Sequence, residues 1–196
     1  MATLTGRDID RLTAAGRAAV ERVSFLLPGH RFVIAGGFFR DTLLGGQIMD
    51  VDVFTLPNTS WEAKDAFRRP PEQYGDLAGT VTHIGSLPNG TPTGIVIQRI
   101  LLNPNRFPDL TNEVVCDRID IGLCRIAMDQ DGELYVSEEA QNDYEGNVLT
   151  VLRTNGEDSS RVRARLEKIQ DRYPDIGFIQ DDPLGLLEPE EELSFD

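Results

Sequence analysis

Hydrophobic positions recur at three- and four-residue spacing near the start of the chain and at two-residue spacing further along. The first pattern, from about Ile9 to Leu27, predicts an amphipathic helix that Pro28 and Gly29 end. Short runs of β-branched and apolar residues between turn residues predict strands. The predicted strands are RFVIAGG, MDVDVFTL, a segment near Val81 to Ile84, IVIQRILL and RIDIGLCRIAM.

Shorter helices complete the predicted order of elements. FFRDTLLGG predicts one or two helical turns closed by Gly45 and Gly46, and EDSSRVRARLEKIQDRY predicts a final helix. Another short helix is predicted around Trp61 to Phe67, and the Asp-Gly of DQDGELYVS predicts a turn. Strands and helices mixed in this order predict an α+β domain, a mixed sheet with helices packed on one face.

The length and charge of the chain change this picture in two ways. Its 196 residues suit one domain, predicted for residues 1–180, while residues 181–196 are an acidic stretch predicted to be a flexible tail or a partner-docking strip. Acidic residues outnumber basic ones 33 to 19, for a net charge of −14. A chain this negative repels nucleic-acid phosphates at long range, so nucleic-acid binding requires a local basic patch.

The cysteines and histidines predict no chemistry of their own. Cys116 and Cys124, placed on one predicted strand, would be roughly 26 Å apart, too far for a disulfide, and are predicted to be buried thiols in a reducing compartment. His30 and His83 have no partner at ligand spacing and are predicted to be surface or packing residues. With no apolar run of membrane-spanning or signal-peptide type, the sequence predicts a cytoplasmic protein that does not enter membranes.

Two carboxylates stand on one predicted strand. Because side chains alternate along a strand, Asp50 and Asp52 face the same side, roughly 7 Å apart at their Cα atoms, while Val51 and Val53 face the core. Two such carboxylates can hold one or two Mg²⁺ ions together with substrate phosphates. Paired ions roughly 3.5–4 Å apart activate an attacking hydroxyl and stabilise a leaving pyrophosphate.

Paired glycines precede these carboxylates at a predicted strand-to-helix junction. Without β-carbons, Gly36 and Gly37 let backbone N–H groups approach an anion closely. The next turn adds the positive end of a helix and the Arg40 guanidinium. The segment therefore predicts a triphosphate-binding bend beside a metal site.

The same segment resembles the DNA polymerase β-type nucleotidyltransferase superfamily, in its poly(A) polymerase and CCA-adding branch. That branch carries GGxVRDxLLGxxxxDhDh, with h apolar, and Phe39 stands here in place of the usual valine. The matching residues are Gly36, Gly37, Arg40, Asp41, Leu43, Leu44, Gly45, Asp50 and Asp52. The resemblance implies a polymerase β-like fold, with nucleotide contacts from Gly36, Gly37, Arg40 and Asp41.

A second stretch, RIDIGLCRIA, is similar to the branch's RRDFTINALA signature. On the predicted strand, Arg118, Asp120 and Gly122 share one face, and Gly122 would leave space for a sugar or base. The resemblance implies that Asp120 is a third catalytic, metal-supporting carboxylate, with Asp117 as the alternative. Arg118 becomes a candidate ribose or phosphate contact.

A third stretch, EDSSRVRARLEKI, is similar to a helix that follows the catalytic head in this branch, and Arg161 becomes a further nucleotide contact. Basic residues recur along this helix at three- and four-residue spacing. They are predicted either to contact the triphosphate or an RNA end, or to form a solvated face. The stripe comprises Arg161, Arg165, Lys168 and Arg172.

The resemblance implies a Mg²⁺-dependent enzyme that transfers NMP from an NTP to a hydroxyl and releases pyrophosphate. The helical domains that follow the head in CCA-adding enzymes are not recognisable here, so a small stand-alone member of bacterial or phage type is expected, acting in the bacterial or host cytoplasm. Candidate acceptors are an RNA 3′ end or tRNA, a protein and a small molecule. The alternative is a non-catalytic acidic protein on the same fold that binds a host factor through its tail or mimics nucleic acid.

Overall fold

The computed structural model describes residues 3–59, 62, 78–89, 94–152 and 159–178, with the backbone alone at 78–80, 159–161 and 178. The predicted helix around Trp61 to Phe67, apart from Glu62, and the predicted tail 181–196 lie outside the described residues. The helices are α1 (Gly6–Leu26), α2 (Gly37–Leu44), α3 (Asn112–Cys116), α4 (Glu138–Gly146) and α5 (Ser159–Arg172). The strands are β1 (Phe32–Ala35), β2 (Asp50–Thr55), β3 (Ala78–Leu87), β4 (Ile95–Leu102), β5 (Ile126–Asp129), β6 (Leu134–Val136), β7 (Val148–Leu149) and β8 (Gly177–Phe178).

Six of these strands form one mixed sheet in the order β3-β4-β2-β1-β5-β6. The pair β2–β4 is parallel, and the other four pairs are antiparallel. The α+β prediction with a mixed sheet is confirmed. β7 and β8 form a separate parallel pair.

Apolar side chains cover both faces of this sheet. On one face α1 and α2 pack over Val51 and Val53, which are fully buried as their alternation with Asp50 and Asp52 predicts. The opposite face carries a smaller core in which the short helix α3, not foreseen from the sequence, packs against β1 and β5. The cleft described below opens on this second face.

Helix α1 begins one turn earlier than its apolar pattern predicts. Thr5 caps it, accepting from the N–H of Asp8 at 3.3 Å, and the Asp8 carboxylate accepts from the Thr5 N–H at 3.0 Å. This capping box satisfies two backbone donors that have no partner within the helix. Within the described residues, no helix has the length and apolar character required to cross a bilayer.

The strand predicted over RIDIGLCRIAM is wrong over most of its length. Residues 118–120 follow α3 as a turn, Gly122–Cys124 forms a 3₁₀ turn, and only Ile126–Asp129 is a strand. Cys116 and Cys124 therefore do not share a strand, although both are buried and free of disulfides.

A contact from distant sequence explains the wrong prediction. The buried Asp143 carboxylate of α4 accepts from the N–H of Leu123 at 2.7 Å and from the N–H of Thr150 at 3.0 Å. These bonds satisfy backbone groups that strand pairing would otherwise engage. A β-carbon on Gly122 would lie 2.6 Å from an oxygen of Asp143, so this carboxylate, and not a substrate pocket, fills the space beside Gly122.

Candidate active site

A cleft of about 810 Å³ brings together most of the candidate residues. Its phosphate-binding candidates come from the β1–α2 junction, its carboxylates from β2 and the turn after α3, and its basic wall from α5. The candidates that line it are Gly36, Gly37, Arg40, Asp41, Asp50, Asp52, Arg118 and Asp120. The side chain of Arg161 lies outside the described residues. Asp117 is exposed at the end of α3 and does not line the cleft.

Asp50 and Asp52 project from the same face of β2, and both are half-buried in the cleft. Burial, and then the negative charge of Asp50, raises the pKa of Asp52 to about 7. Burial and the charge of Asp41 likewise raise the pKa of Asp50, against the opposing charges of Arg40, Lys168 and Arg172. Two desolvated carboxylates that repel one another favour a cation between them.

This electrostatic cost predicts a pH-dependent gain in stability for Asp52→Asn. Because the pKa of Asp52 is about 7 in the folded protein and 3.8 as its ordinary value, its ionisation destabilises the fold as pH rises through this window. Without divalent cations, Asp52→Asn should be more stable than the wild type by about 1–3 kcal/mol at pH 8. The difference should shrink towards pH 4. Urea denaturation with EDTA at several pH values measures it, and a variant less stable than the wild type at pH 8 contradicts the prediction.

The glycine bend lies immediately beside these carboxylates. Gly36 precedes the first turn of α2 with φ 92° and ψ −140°, a conformation essentially restricted to glycine. A β-carbon at Gly36 would come within 3.9 Å of Oδ2 of Asp52. The start of α2, where helix N–H groups can bind an anion, therefore lies next to Asp52.

Arg40 is buried and engaged in the structure. Its Nη2 lies 2.6 Å from Oδ1 of Asp41, its Nε lies 2.7 Å from the same oxygen, and its Nη1 lies 3.4 Å from the sulfur of Cys124. The guanidinium still lines the cleft, beneath Gly37. Contact of Arg40 or Asp41 with a nucleotide stays a prediction.

Asp41 also attaches the C-terminal end of α5 to α2. Its Oδ2 lies 2.9 Å from Nη1 of Arg172, and its Oδ1 accepts from the Tyr173 hydroxyl at 3.0 Å. With 2 % of its surface exposed, this carboxylate is a buried junction between the two helices. It holds α5 against the cleft.

Asp120 and α5 form the other side of the cleft. Asp120 is buried, and its carboxylate binds the guanidinium of Arg165. Arg165, Lys168 and Arg172 of the basic stripe line the cleft, while Val162, Leu166 and Ile169 pack into the core. The cations on α5 therefore face the carboxylates of β2. Of the two alternatives predicted for the basic stripe, this favours a role in the cleft over a fully solvated helix face.

Two polar side chains of the cleft were not recognised as site residues from the sequence. Gln98 of β4 donates from Nε2 to Oδ2 of Asp50 at 3.3 Å. His83 of β3, which the sequence assigns to packing or the surface, also lines the cleft. The sequence did contain a signal for Gln98. It is the polar residue on a face of β4 that otherwise consists of Val96, Ile100 and Leu102. Within the described part of the chain, no group of three or more His, Cys, Asp or Glu side chains is arranged to hold a metal.

Comparison with solved structures shows that this α+β fold is nucleotidyltransferase-like. A CCA-adding enzyme in its apo form aligns with 94 % of this chain and 42 % of its own, at 21 % identity and a TM-score of 0.53. A tRNA nucleotidyltransferase complexed with a primer tRNA and an incoming ATP analogue aligns with 82 % of this chain and 46 % of its own, at 21 % identity and a TM-score of 0.51.

A tRNA-processing enzyme with CTP gives the same TM-score of 0.51 at 21 % identity, over 82 % of this chain and 43 % of its own. The chain thus spans less than half the length of these solved structures. The sequence matches no protein-family model and no curated protein. At this level of identity, these likenesses show the fold of the chain.

Proposed function

We propose that this protein transfers a nucleoside monophosphate from an NTP to a hydroxyl group and releases pyrophosphate. The observation that carries the proposal is the position of Asp50 and Asp52, side by side in the cleft and next to the Gly36 bend. Cation-binding oxygens next to backbone N–H donors are what a reacting phosphate requires, and this supports the proposal.

The donor set at β2 fits Mg²⁺. The carboxylates of Asp50 and Asp52 supply hard, negatively charged oxygens, and their raised pKa values reflect the cost of leaving them without a counter-ion. Mg²⁺ is commonly held by one or two carboxylates completed by substrate phosphates. When bound, one or two such ions would activate the hydroxyl and stabilise the charge on the leaving oxygens. Asp120, bound to Arg165, is proposed to support this pair from the far side of the cleft.

The protein's own groups then orient the reaction. N–H groups at Gly37 and the start of α2 bind the β- and γ-phosphates, and Lys168 and Arg165 of α5 neutralise them. The acceptor oxygen attacks the α-phosphorus, the bond from that phosphorus to the bridging β-oxygen breaks, and pyrophosphate leaves. The hydroxyl proton passes to a carboxylate oxygen of Asp52. Arg118, whose guanidinium lies over the Phe107 ring, and Arg161 are proposed contacts for the ribose or a phosphate.

The acceptor we favour is an RNA 3′ end. Similar folds occur in a structure with primer tRNA and in one with CTP. In a chain of net charge −14, the basic wall of α5 is a local patch of the kind that an RNA end requires.

Incubation of the purified protein with each α-labelled NTP, Mg²⁺ and total RNA, or total protein in parallel, tests the proposal. We expect label in an acceptor band with matching pyrophosphate release, and no label when EDTA is present. The same NTP should raise the melting temperature with Mg²⁺, since a ligand at 100 times its Kd stabilises the fold by about 2.7 kcal/mol. Absence of both label and melting shift with all four NTPs contradicts the proposal.

A further inference from the structure

The side of the cleft away from the glycine bend is built by β4 and β3. Gln98 is the direct neighbour of Asp52 across the parallel β2–β4 pair, and His83 is the direct neighbour of Gln98 across the β3–β4 pair. Side chains in register project to the same face of a sheet, and these three all line the cleft. Asp52 therefore lies between the Gly36 bend on the β1 side and Gln98 on the β4 side.

Gln98 is also in contact with the other carboxylate. Its Nε2 donates to Oδ2 of Asp50 at 3.3 Å, from a half-buried position. This bond orients the Asp50 carboxyl group through its Oδ2. Hydrogen-bonding partners of this kind orient metal ligands and tune their affinity.

Gln98 carries no charge, and this also affects how the site would bind a cation. Its side chain is long enough to reach the Asp50 carboxylate, so a carboxylate at the same place would reach a cation held there. The other buried carboxylates of the cleft are also paired, Asp120 with Arg165 and Asp41 with Arg40 and Arg172. The negative charge directly facing a cation at β2 is therefore that of Asp50 and Asp52.

We propose that Gln98 is a positioning residue that orients Asp50 for a divalent cation, and that its neutrality makes tight metal binding depend on bound nucleotide. This inference rests on the proposed function. Two carboxylates supply part of the ligand set, and the triphosphate oxygens complete it. By linkage, the nucleotide tightens the metal by the same factor as the metal tightens the nucleotide.

Mn²⁺ titration followed by electron paramagnetic resonance tests this directly, without turnover. The variants are Gln98→Glu, which adds a carboxylate, and Gln98→Leu, which removes the amide at similar size. The matched control is Gln141→Glu, which adds the same charge on the exposed face of α4. Without nucleotide, Gln98→Glu should bind Mn²⁺ at least about tenfold more tightly than the wild type, and Gln141→Glu should not.

A second titration includes an NTP analogue with a methylene group between its α- and β-phosphorus atoms. The wild type should then gain Mn²⁺ affinity, and Gln98→Leu should need roughly tenfold more Mn²⁺ than the wild type for half-saturation. Melting curves of each variant verify that the fold is retained, and the neutral Gln98→Leu tests the positioning role even if the extra charge destabilises Gln98→Glu.

Equal Mn²⁺ affinity of Gln98→Glu and Gln141→Glu, or unchanged affinity in Gln98→Leu with the analogue, overturns the inference. The proposed function fails differently, by the absence of labelled acceptor in the wild type. Tighter Mn²⁺ binding by Gln98→Glu in a protein that labels no acceptor would uphold the assignment of Gln98 to the cation site while refuting the transfer reaction.

Discussion

Simultaneous substitution of Asp50→Asn and Asp52→Asn is expected to abolish nucleotide transfer. The amides keep the size of both side chains but remove the negative charges that would hold Mg²⁺ next to the α-phosphate. Cation stabilisation of the transition state contributes several kcal/mol, so the rate should fall on the order of 10³-fold or more. Incorporation of α-labelled NTP at saturating Mg²⁺ measures the loss.

The matched control for this pair is Asp10→Asn, which removes a carboxylate from the exposed side of α1, away from the cleft. It should keep wild-type activity, whereas the double variant should keep its fold and, from the argument at Asp52, gain stability at pH 8. Full incorporation by a folded double variant would refute the assignment of the metal site to β2.

The largest loss of stability is expected for Asp41→Ala. The substitution leaves the buried guanidinium of Arg40 without its carboxylate and removes the partner of Arg172 and Tyr173. Breaking a buried ion pair by removing one partner costs about 3–5 kcal/mol, because the remaining charge is uncompensated. For a chain of this length, that loss corresponds to a fall in melting temperature on the order of 10 °C.

Hydrogen exchange separates this mechanism from a general loss of packing. Amides of α5 should exchange faster in Asp41→Ala, beyond the change in global stability, because Asp41 attaches that helix to α2. Asp171→Asn, an exposed carboxylate on α5, provides the control and should leave both the melting temperature and the exchange of α5 nearly unchanged. Equal protection of α5 in Asp41→Ala and the wild type would show that the attachment lies elsewhere.

The parts of the site that depend on local chemistry could be predicted from the sequence. Alternation along β2 is enough to place Asp50 and Asp52 together, and the glycines at the start of α2 signal a conformation that other residues avoid. The basic spacing of α5 also indicates which of its residues share a face. In each of these cases the pattern and the structure it produces lie within one element and its ends.

The parts of the site that depend on contacts between distant residues could not be predicted from the sequence. Asp143 imposes a 3₁₀ turn at Gly122–Cys124 where the alternation of residues predicts a strand. Gln98 reaches Asp50 only through the register of two strands whose contacting residues are 48 positions apart. Asp120 could be recognised as a cleft residue, but its pairing with Arg165 requires α5 to be docked. The hydrophobic pattern indicates which face of a helix or strand is buried. Tertiary packing decides which side chains of different elements contact one another.

The bond between Asp41 and Arg172 joins residues 131 positions apart. During synthesis at about 5–20 residues per second, the ribosome makes the acidic side of the cleft roughly 7–26 seconds before the cationic helix that neutralises it. The nascent chain therefore carries the carboxylates of α2 and β2 without the cations of α5 until that helix emerges. Under the proposed function, nucleotide binding would therefore require that translation has passed α5.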